Sequence, residues 1–352
     1  MDKSEKKARD AARHRRILLV GAPRSGTTWV GEILTLVPDV EYIHEPDNEK
    51  SSIIGLYGKA GLPRFPLLSP GEARPAYGSL WHIAFTAPGA AVLSSSWLTR
   101  LWLFDRTAKE RFVQQKERMI ADGYRPDPAH CANGSPMPAL VNRLAALKLF
   151  GTPAATVRLV KSVHGVLAAE WIERSVAAHS VVVVMRNPHG VLASWRRMKM
   201  PDAMRSVCLT PEVLSAAFGD RAAPIQEELK RELEIPLNKT ALQLAVMYRI
   251  LLDSAARNPH WTVIYHEHLC MDPVLEFRGL FARLGLPWSK PVQDGIAARN
   301  REGKGYRTVR VAGKELGKWR KDFTSAEMDG IKRVFTACGF ELGTAECFPT
   351  NN

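Results

Sequence analysis

Short apolar runs alternate with stretches of helical periodicity along most of the chain. Residues 17–20 are continuously apolar, as expected for a strand buried on both faces of a parallel sheet. A glycine-rich turn follows, and from Thr27 apolar residues recur at helical spacing. Further strands are predicted at residues 40–43, 157–160, 180–185 and 261–265. This alternation predicts an α/β fold, a three-layer sandwich with a central parallel sheet and crossover helices.

Three helix starts are predicted from capping residues. Asn238 is expected to cap the long apolar helix that follows it, and Asp272 precedes a proline that suits the first helical position. Thr324 and Glu327 have the spacing of a capping box, which predicts a closing helix.

One domain is predicted for residues 17–352, preceded by a basic tail of residues 1–16. Between about residue 50 and residue 150, prolines, glycines and aromatic residues are scattered without clear periodicity. This part is predicted to be an irregular or helical insertion, and insertions of this kind in α/β proteins often form a lid or a substrate pocket. Its aromatic residues have two interpretations, a wall that binds a substrate or the core of a small helical subdomain.

The chain is basic, with a formal net charge of +13 over 352 residues. A charge of this sign favours an anionic ligand, although nucleic acid or an anionic membrane surface would fit it as well. Few apolar residues separate the tail from Gly21, too few for a signal-peptide core or a membrane span, so a cytoplasmic location without a transmembrane segment is expected. The five cysteines lack metal-ligand spacing, so neither a disulfide framework nor structural zinc is expected.

The turn after the first strand is a candidate anion site. Residues 21–28, GAPRSGTT, nearly match the triphosphate-binding loop G-x-x-x-x-G-K-[ST], but Thr27 stands where that loop has lysine. Arg24 and nearby hydroxyl groups would still offer donors to a tetrahedral anion at a helix N-terminus. A nucleotide kinase of the P-loop type is the alternative, disfavoured because the lysine is missing.

Other charged side chains follow predicted strands and are expected at the same sheet edge. Arg186 ends the strand 180–185, and Ser194 lies two helical turns beyond Pro188, so the two predict a second anion site. Glu45 lies between a strand and a proline, which prevents it from continuing into a helix. Lys161 and His164 follow the strand 157–160.

Taken together, three separated segments resemble the sulfotransferase superfamily that uses 3'-phosphoadenosine 5'-phosphosulfate (PAPS). Residues 23–29, PRSGTTW, resemble its 5'-phosphosulfate loop, and residues 181–195, VVVVMRNPHGVLASW, resemble its 3'-phosphate motif. Residues 316–324, LGKWRKDFT, resemble its late cofactor-closing motif, and residues 265–288 resemble the segment that commonly precedes it. The resemblance implies a sulfotransferase with PAPS as donor and 3'-phosphoadenosine 5'-phosphate (PAP) as product.

The resemblance also implies roles for individual residues. Arg186 and Ser194 would hold the 3'-phosphate, and the loop would bind the phosphosulfate through Arg24, Ser25, Gly26, Thr27, Thr28 and Trp29. The family's Arg-Lys-Gly triplet is absent, and Lys314 and Arg301 are the candidates for its 3'-phosphate contacts.

The motif style favours the carbohydrate sulfotransferases within that superfamily. Arg24 replaces the lysine of the cytosolic phenol and steroid enzymes, and Glu45 is followed by Pro46. Glu45 is therefore the predicted general base and His164 the alternative, with Lys161 a further cation for the phosphosulfate. The predicted acceptor is a carbohydrate or small-molecule hydroxyl, and neither nucleic acid nor a metal ion is expected to take part.

Overall fold

The computed structural model describes residues 15–48, 52–59, 61–87, 157–200, 209–301 and 312–342. Its strands are β1 (Arg15–Val20), β2 (Val40–His44), β3 (Val157–Ser162), β4 (Ser180–Met185) and β5 (Thr262–Tyr265). They form a parallel five-stranded sheet in the order β2-β3-β1-β4-β5. The α/β fold with a central parallel sheet and flanking helices is therefore confirmed.

The helices of the described residues connect and follow these strands. They are α1 (Thr27–Leu34), α2 (Ile53–Gly58), α3 (Pro75–Thr86), α4 (Ala169–Val176), α5 (Pro188–Arg197), α6 (Pro211–Phe218), α7 (Ala222–Glu228), α8 (Pro236–Arg257), α9 (His266–Met271), α10 (Pro273–Arg283), α11 (Lys290–Arg299) and α12 (Ser325–Ala337). Short 3₁₀ segments include Gly165–Ala168, Ala312–Glu315 and Lys318–Asp322.

The chain divides into two compact units within β1 and β4. One unit comprises Met1–Leu19 and Pro38–Val181, and the other comprises Val20–Val37 and Val182–Asn352. The prediction of a single domain from residue 17 stays a prediction.

The apolar runs of the strands became buried core, as their pattern predicts. Residues 17–20 and 181–185 are almost fully buried, which is the environment of central strands covered on both faces. The amphipathic helix α1 buries Val30, Ile33 and Leu34 on one side.

Three aromatic residues of the predicted insertion belong to the core of the first unit. Tyr77, Trp81 and Phe85 on α3 are buried, and the Tyr77 ring stacks on Trp171 of α4 at a centroid distance of 5.4 Å. For these residues the core interpretation applies. The predicted insertion from residue 88 to about residue 150 lies outside the described residues.

Two of the three predicted caps are confirmed. Asp272 accepts a hydrogen bond from the amide of Leu275, and Thr324 and Glu327 form the reciprocal bonds of a capping box. The cap at Asn238 is wrong, since α8 begins earlier at Pro236 and Asn238 lies inside it. There the Asn238 side chain donates to a carboxylate oxygen of Glu232 at 2.9 Å. This tertiary hydrogen bond replaces the local one that the sequence pattern favours.

Strand order identifies a switch point in the sheet. The chain leaves β1 toward β2 and β3 on one side and leaves β4 toward β5 on the other. Ligands of open parallel sheets bind where neighbouring loops diverge in this way, beyond the carboxyl ends of the strands. The loops that follow β1 and β4, at residues 21–26 and 186–187, both belong to the second unit.

Candidate active site

The loop after β1 makes a sharp turn into helix α1. Arg24 and Gly26 both have positive φ, 72° and 106°, and Gly26 caps the helix without a side-chain hydrogen bond. Gly21 lies so close to β4 that a Cβ there would be 2.6 Å from the carbonyl oxygen of Val184. A non-glycine residue such as Arg24 in the left-handed region costs about 1–2 kcal/mol, a strain that typically marks a functional turn. The turn directs the first amides of α1 toward the carboxyl end of the strand, as in anion-binding loops.

The loop is hydrogen-bonded directly to the segment that follows β4. Arg24 Nε donates to Ser194 Oγ at 3.1 Å, and Arg186 Nη1 donates to the carbonyl oxygen of Arg24 at 3.0 Å. The indole of Trp195 donates to the carbonyl oxygen of Pro23 at 2.8 Å. Two guanidinium groups and a hydroxyl from opposite halves of the sequence thus form one cluster, which has the donors for two phosphate-like groups.

Aromatic side chains lie beside the start of α1. Trp29 meets Phe277 edge to face at 5.4 Å and is tilted against His266 at 5.9 Å. His266 packs against Gly26, where a Cβ would approach the imidazole to 3.3 Å, and its Nδ1 lies 3.2 Å from the sulfur of Cys270. Burial lowers the pKa of His266 well below its usual value, so the imidazole is neutral at neutral pH. Trp29 is half-buried between these contacts.

The 3₁₀ segment Lys318–Asp322 is attached to helix α5. Trp319 stacks on His189 with ring centroids 4.4 Å apart and an angle of 18° between the planes. Arg196 pairs with Glu327 at 2.7 Å and also donates to the carbonyl oxygen of Asp322 at 2.6 Å. Burial lowers the pKa of His189, which favours the neutral imidazole in this stack. The late segment is therefore fixed to the helix that begins directly after Arg186.

A second polar cluster lies in the first unit, where β2 and β3 end. Glu45 and Lys161 form an ion pair, and Asn48 donates to the other carboxylate oxygen of Glu45 at 2.9 Å. Glu45 itself has a left-handed φ of 46°, and its amide donates to the carbonyl oxygen of Lys161 at 2.8 Å. Burial would raise the pKa of Glu45, but the charge of Lys161, with His164 and His44, offsets this and holds the pKa well below its usual value. The carboxylate is therefore ionised at neutral pH.

Asp47 and Ser162 connect the two segments that carry this cluster. Both residues are fully buried, and Ser162 Oγ lies 2.8 Å from each carboxylate oxygen of Asp47, to which it donates its proton. The same oxygen accepts hydrogen bonds from the amides of His164 and Gly165, at 3.1 and 2.9 Å. One hydroxyl thus fixes the turn after β3 to the turn after β2.

A family model for the sulfotransferase family matches residues 16–290, more than three quarters of the chain. The chain belongs to the sulfotransferase family. The predicted superfamily and the prediction of a sulfotransferase enzyme are therefore confirmed.

Several solved structures are similar to this sulfotransferase at low sequence identity. The sulfotransferase domain of the Synechococcus PCC 7002 olefin synthase is 13% identical, with a TM-score of 0.40, over 94% of this chain and 96% of that one. Sulfotransferase STF9 of Mycobacterium avium is 13% identical, with a TM-score of 0.41, over 95% and 78% of the two chains. Mouse SULT7A1, solved with PAP, is 13% identical, with a TM-score of 0.38, over 92% and 83%. TM-scores this low support no inference about individual residues.

A search among curated proteins gave no significant sequence match to this sulfotransferase.

The described residues of the sulfotransferase contain neither a candidate membrane span nor a candidate metal site. No helix there is both long and apolar enough to cross a membrane, and the cytoplasmic location stays a prediction. No group of three or more His, Cys, Asp or Glu side chains there is arranged to hold a metal ion.

The predicted site residues of this sulfotransferase fall into four groups, apart from His164, which is buried in the first unit. Arg24, Arg186 and Ser194 come together in the second unit, whereas the candidate base Glu45 and its neighbour Lys161 meet in the first. The remaining predicted loop residues lie around the α1 N-terminus: Ser25, Gly26, Thr27, Thr28 and Trp29. Arg301 and Lys314 are exposed, residues 302–311 between them lie outside the described residues, and their role stays a prediction.

Sequence reasoning missed several residues that shape the two clusters. Asp47 follows Glu45 by two positions. The only feature of the sequence that could have indicated it is that an acidic residue follows the end of a predicted strand. His266 and Glu267 lie in the segment already noted for its resemblance, but nothing in their spacing predicted a buried position next to the loop.

We expect Lys161→Met to destabilise the sulfotransferase in a pH-dependent way. In the wild type the folded protein holds the pKa of Glu45 below its usual value of 4.5. This lowered pKa stabilises the fold at pH values above 4.5, and the stabilisation is lost as the pH falls below 4.5. Without Lys161, burial raises the pKa of Glu45, so its contribution is lost as the pH rises instead. Denaturant titration should show a loss of about 3–5 kcal/mol near pH 7 that shrinks toward pH 4.

The control is the double variant Lys161→Met/Glu45→Gln, which has no titrating carboxyl at this position. Its difference from the wild type should change little between pH 5 and pH 7, a range above the usual pKa of the carboxyl. A loss in Lys161→Met of the same size at pH 4 and pH 7 would show that Lys161 does not control the charge of Glu45.

Proposed function

We propose that this sulfotransferase transfers the sulfuryl group of PAPS to a hydroxyl of a carbohydrate or small-molecule acceptor and releases PAP. The observation that supports this best is the hydrogen-bonded cluster of Arg24, Ser194 and Arg186 at the switch point of the sheet. A donor with a phosphosulfate and a separate 3'-phosphate needs two neighbouring sets of cationic and hydroxyl donors. The cluster has donors of both kinds.

In this proposal the two anionic groups of the donor use different parts of the cluster. The 5'-phosphosulfate binds to Arg24 and to the amides and hydroxyls at the start of α1, contributed by Ser25, Gly26, Thr27 and Thr28. The 3'-phosphate binds to Arg186 and Ser194, with Arg301 and Lys314 as further candidates. The face of Trp29 stacks on the adenine base.

The proposed reaction is an in-line displacement at sulfur. The acceptor oxygen forms a bond to sulfur while the bond between sulfur and the bridging oxygen of the 5'-phosphate breaks, and that phosphate leaves as an anion. Cations and amides around the leaving phosphate stabilise the charge that develops on it, as in phosphoryl transfer. The proton of the acceptor hydroxyl passes to a general base.

Glu45 is the proposed general base and His164 the alternative. Because the pKa of Glu45 is held low, its carboxylate is ionised at neutral pH and has an acceptor oxygen for the proton. A base this weak suits a loose transition state, in which the acceptor hydroxyl becomes strongly acidic only after its bond to sulfur has begun to form. Lys161 would then stabilise Glu45 in the ionised state between turnovers.

The acceptor class rests on the resemblance rather than on a described pocket. The Glu45-Pro46 pair favours a sugar hydroxyl, as in carbohydrate sulfotransferases. A small-molecule alcohol is the second class.

Mass spectrometry after incubation with PAPS and a panel of sugars and small alcohols tests the function directly. We expect a sulfated product and PAP, with no product when adenosine 5'-phosphosulfate or ATP replaces PAPS. A phosphorylated product formed from ATP would instead support the nucleotide-kinase alternative, and binding of DNA without any transfer would support the nucleic-acid alternative.

Arg186→Ala is expected to weaken binding of PAP roughly 10- to 100-fold, because a charge-assisted contact to the 3'-phosphate is lost. Adenosine 5'-phosphate, which lacks that phosphate, should bind almost as it does to the wild type. Calorimetry with both nucleotides measures the difference. Equal losses for the two nucleotides would remove the 3'-phosphate assignment.

Glu45→Gln is expected to lower the turnover number about 10²- to 10⁴-fold, the range for loss of a general base, while PAP binding persists. His164→Gln is the matched variant and should reduce turnover much less. Steady-state rates and calorimetry on both variants decide the base. Near-normal turnover in Glu45→Gln together with a collapse in His164→Gln would move the assignment to His164.

A further inference from the structure

One peptide bond at the end of β4 is held on both sides by buried side chains. The carbonyl oxygen of Arg186 accepts a hydrogen bond from the hydroxyl of Tyr248 at 2.6 Å. The amide of Asn187 donates to Oε1 of Glu267 at 2.9 Å. These two polar groups belong to the same peptide unit, and the side chains that bind them come from α8 and α9.

Both side chains are buried. The Tyr248 hydroxyl can act as a donor and the Glu267 carboxyl oxygen as an acceptor in these two hydrogen bonds. Tyr248 is fully buried, and burial raises its pKa, so the hydroxyl keeps its proton and donates. Glu267 is 5% exposed, and burial raises its pKa against the opposing effects of the Asn187 amide and Arg186. Its second oxygen, Oε2, accepts no hydrogen bond among the described residues. A carboxyl group placed here at such a cost indicates that its bond to the amide matters.

The Arg186–Asn187 peptide, held by Tyr248 and Glu267, determines the direction of the Arg186 side chain and the start of helix α5. A peptide unit is planar, so fixing its carbonyl and its amide fixes the plane and the directions of the two flanking Cα atoms. On one side is Arg186, whose guanidinium reaches the carbonyl oxygen of Arg24 and lies 3.1 Å from where a Cβ of Gly190 would be. On the other side is Asn187, whose side chain caps α5 by accepting from the amide of His189 at 3.0 Å.

Strand register explains why Glu267 reaches this peptide. Met185 of β4 is paired with Tyr265 of β5 in the parallel ladder. The residues that follow the two strands therefore leave the sheet side by side, Asn187 opposite Glu267. Tyr248 approaches the same peptide from the long helix α8 and is fixed there by an edge contact with Phe335.

We propose that Tyr248 and Glu267 are positioning residues for recognition of the donor's 3'-phosphate, because they clamp the Arg186–Asn187 peptide and so aim Arg186. This inference rests on the proposed function, in which Arg186 binds that phosphate. Neither residue touches the donor. Their substitution should affect a nucleotide that carries the 3'-phosphate and spare one that lacks it.

Tyr248→Phe removes only the hydroxyl and keeps the ring contact with Phe335. Glu267→Met removes the acceptor and the charge at similar size, whereas Glu267→Gln keeps an acceptor oxygen for the Asn187 amide. Calorimetry on the full chain should show PAP binding weakened roughly 3- to 10-fold in Tyr248→Phe and Glu267→Met, the usual effect of one hydrogen bond. Glu267→Gln should recover most of the affinity. Adenosine 5'-phosphate should bind all three variants within about 2-fold of the wild type, a change below the effect of one hydrogen bond.

Two further experiments distinguish a role in positioning Arg186 from a role in the general stability of the fold. In an Arg186→Ala background the same substitutions should no longer weaken PAP binding, because their effect acts through that side chain. Glu276→Gln, the same substitution at a glutamate of α10, is the control and should leave both affinities unchanged. If Glu267→Met does not fold, Tyr248→Phe alone decides.

The outcomes distinguish this inference from the function on which it rests. Equal losses for the two nucleotides, or losses that persist without Arg186, would overturn the clamp and leave the 3'-phosphate assignment intact. A wild-type protein that binds PAP no better than adenosine 5'-phosphate would overturn the proposed function and the clamp with it.

Discussion

Parallel strand pairing is the constraint on which the polar side-chain clusters at the sheet edge depend. In each neighbouring pair the strands end at the same edge, so residues 80 or more positions apart in sequence can leave the sheet side by side. His44 is paired with Lys161 across β2 and β3, which brings Glu45 against Lys161. The pairing of β4 with β5 places Asn187 against Glu267 in the same way. Register, rather than any local motif, assembles these contacts.

The two clusters differ in the partners of their charged side chains. Around the loop after β1, the guanidinium groups of Arg24 and Arg186 bond to a hydroxyl and a carbonyl oxygen, so their positive charge is not cancelled by these contacts. Hydrogen bonds to neutral acceptors of this kind leave a guanidinium group its positive charge. At the end of β2 and β3, by contrast, Lys161 meets the carboxylate of Glu45, and the pair offsets most of the cost of burying either charge. One arrangement suits binding and the other suits holding a proton acceptor in its ionised form.

The parts of the structure that sequence predicts well are those governed by local rules. Apolar runs predicted the strands correctly, and the capping box at Thr324 predicted the start of the last helix. Both predictions hold because burial and capping act over a few neighbouring residues. The predicted cap at Asn238 is wrong because a non-local contact takes its place. The Asn238 side chain is hydrogen-bonded to Glu232 and not to an amide of its own helix. Contacts such as Asp47 with Ser162 depend on which strands become neighbours, which no local pattern specifies.

The same distinction separates the site residues. The proximity of Arg24, Arg186 and Ser194 was predictable because each follows a strand end, and strand ends are visible in the sequence. Tyr248 lies in the middle of a long helix and carries no such offset, so only the packing of α8 shows that its hydroxyl reaches the Arg186 carbonyl. A side chain near a strand end can thus be found from motif spacing, whereas a side chain that holds the neighbouring peptide can be found only from the tertiary fold.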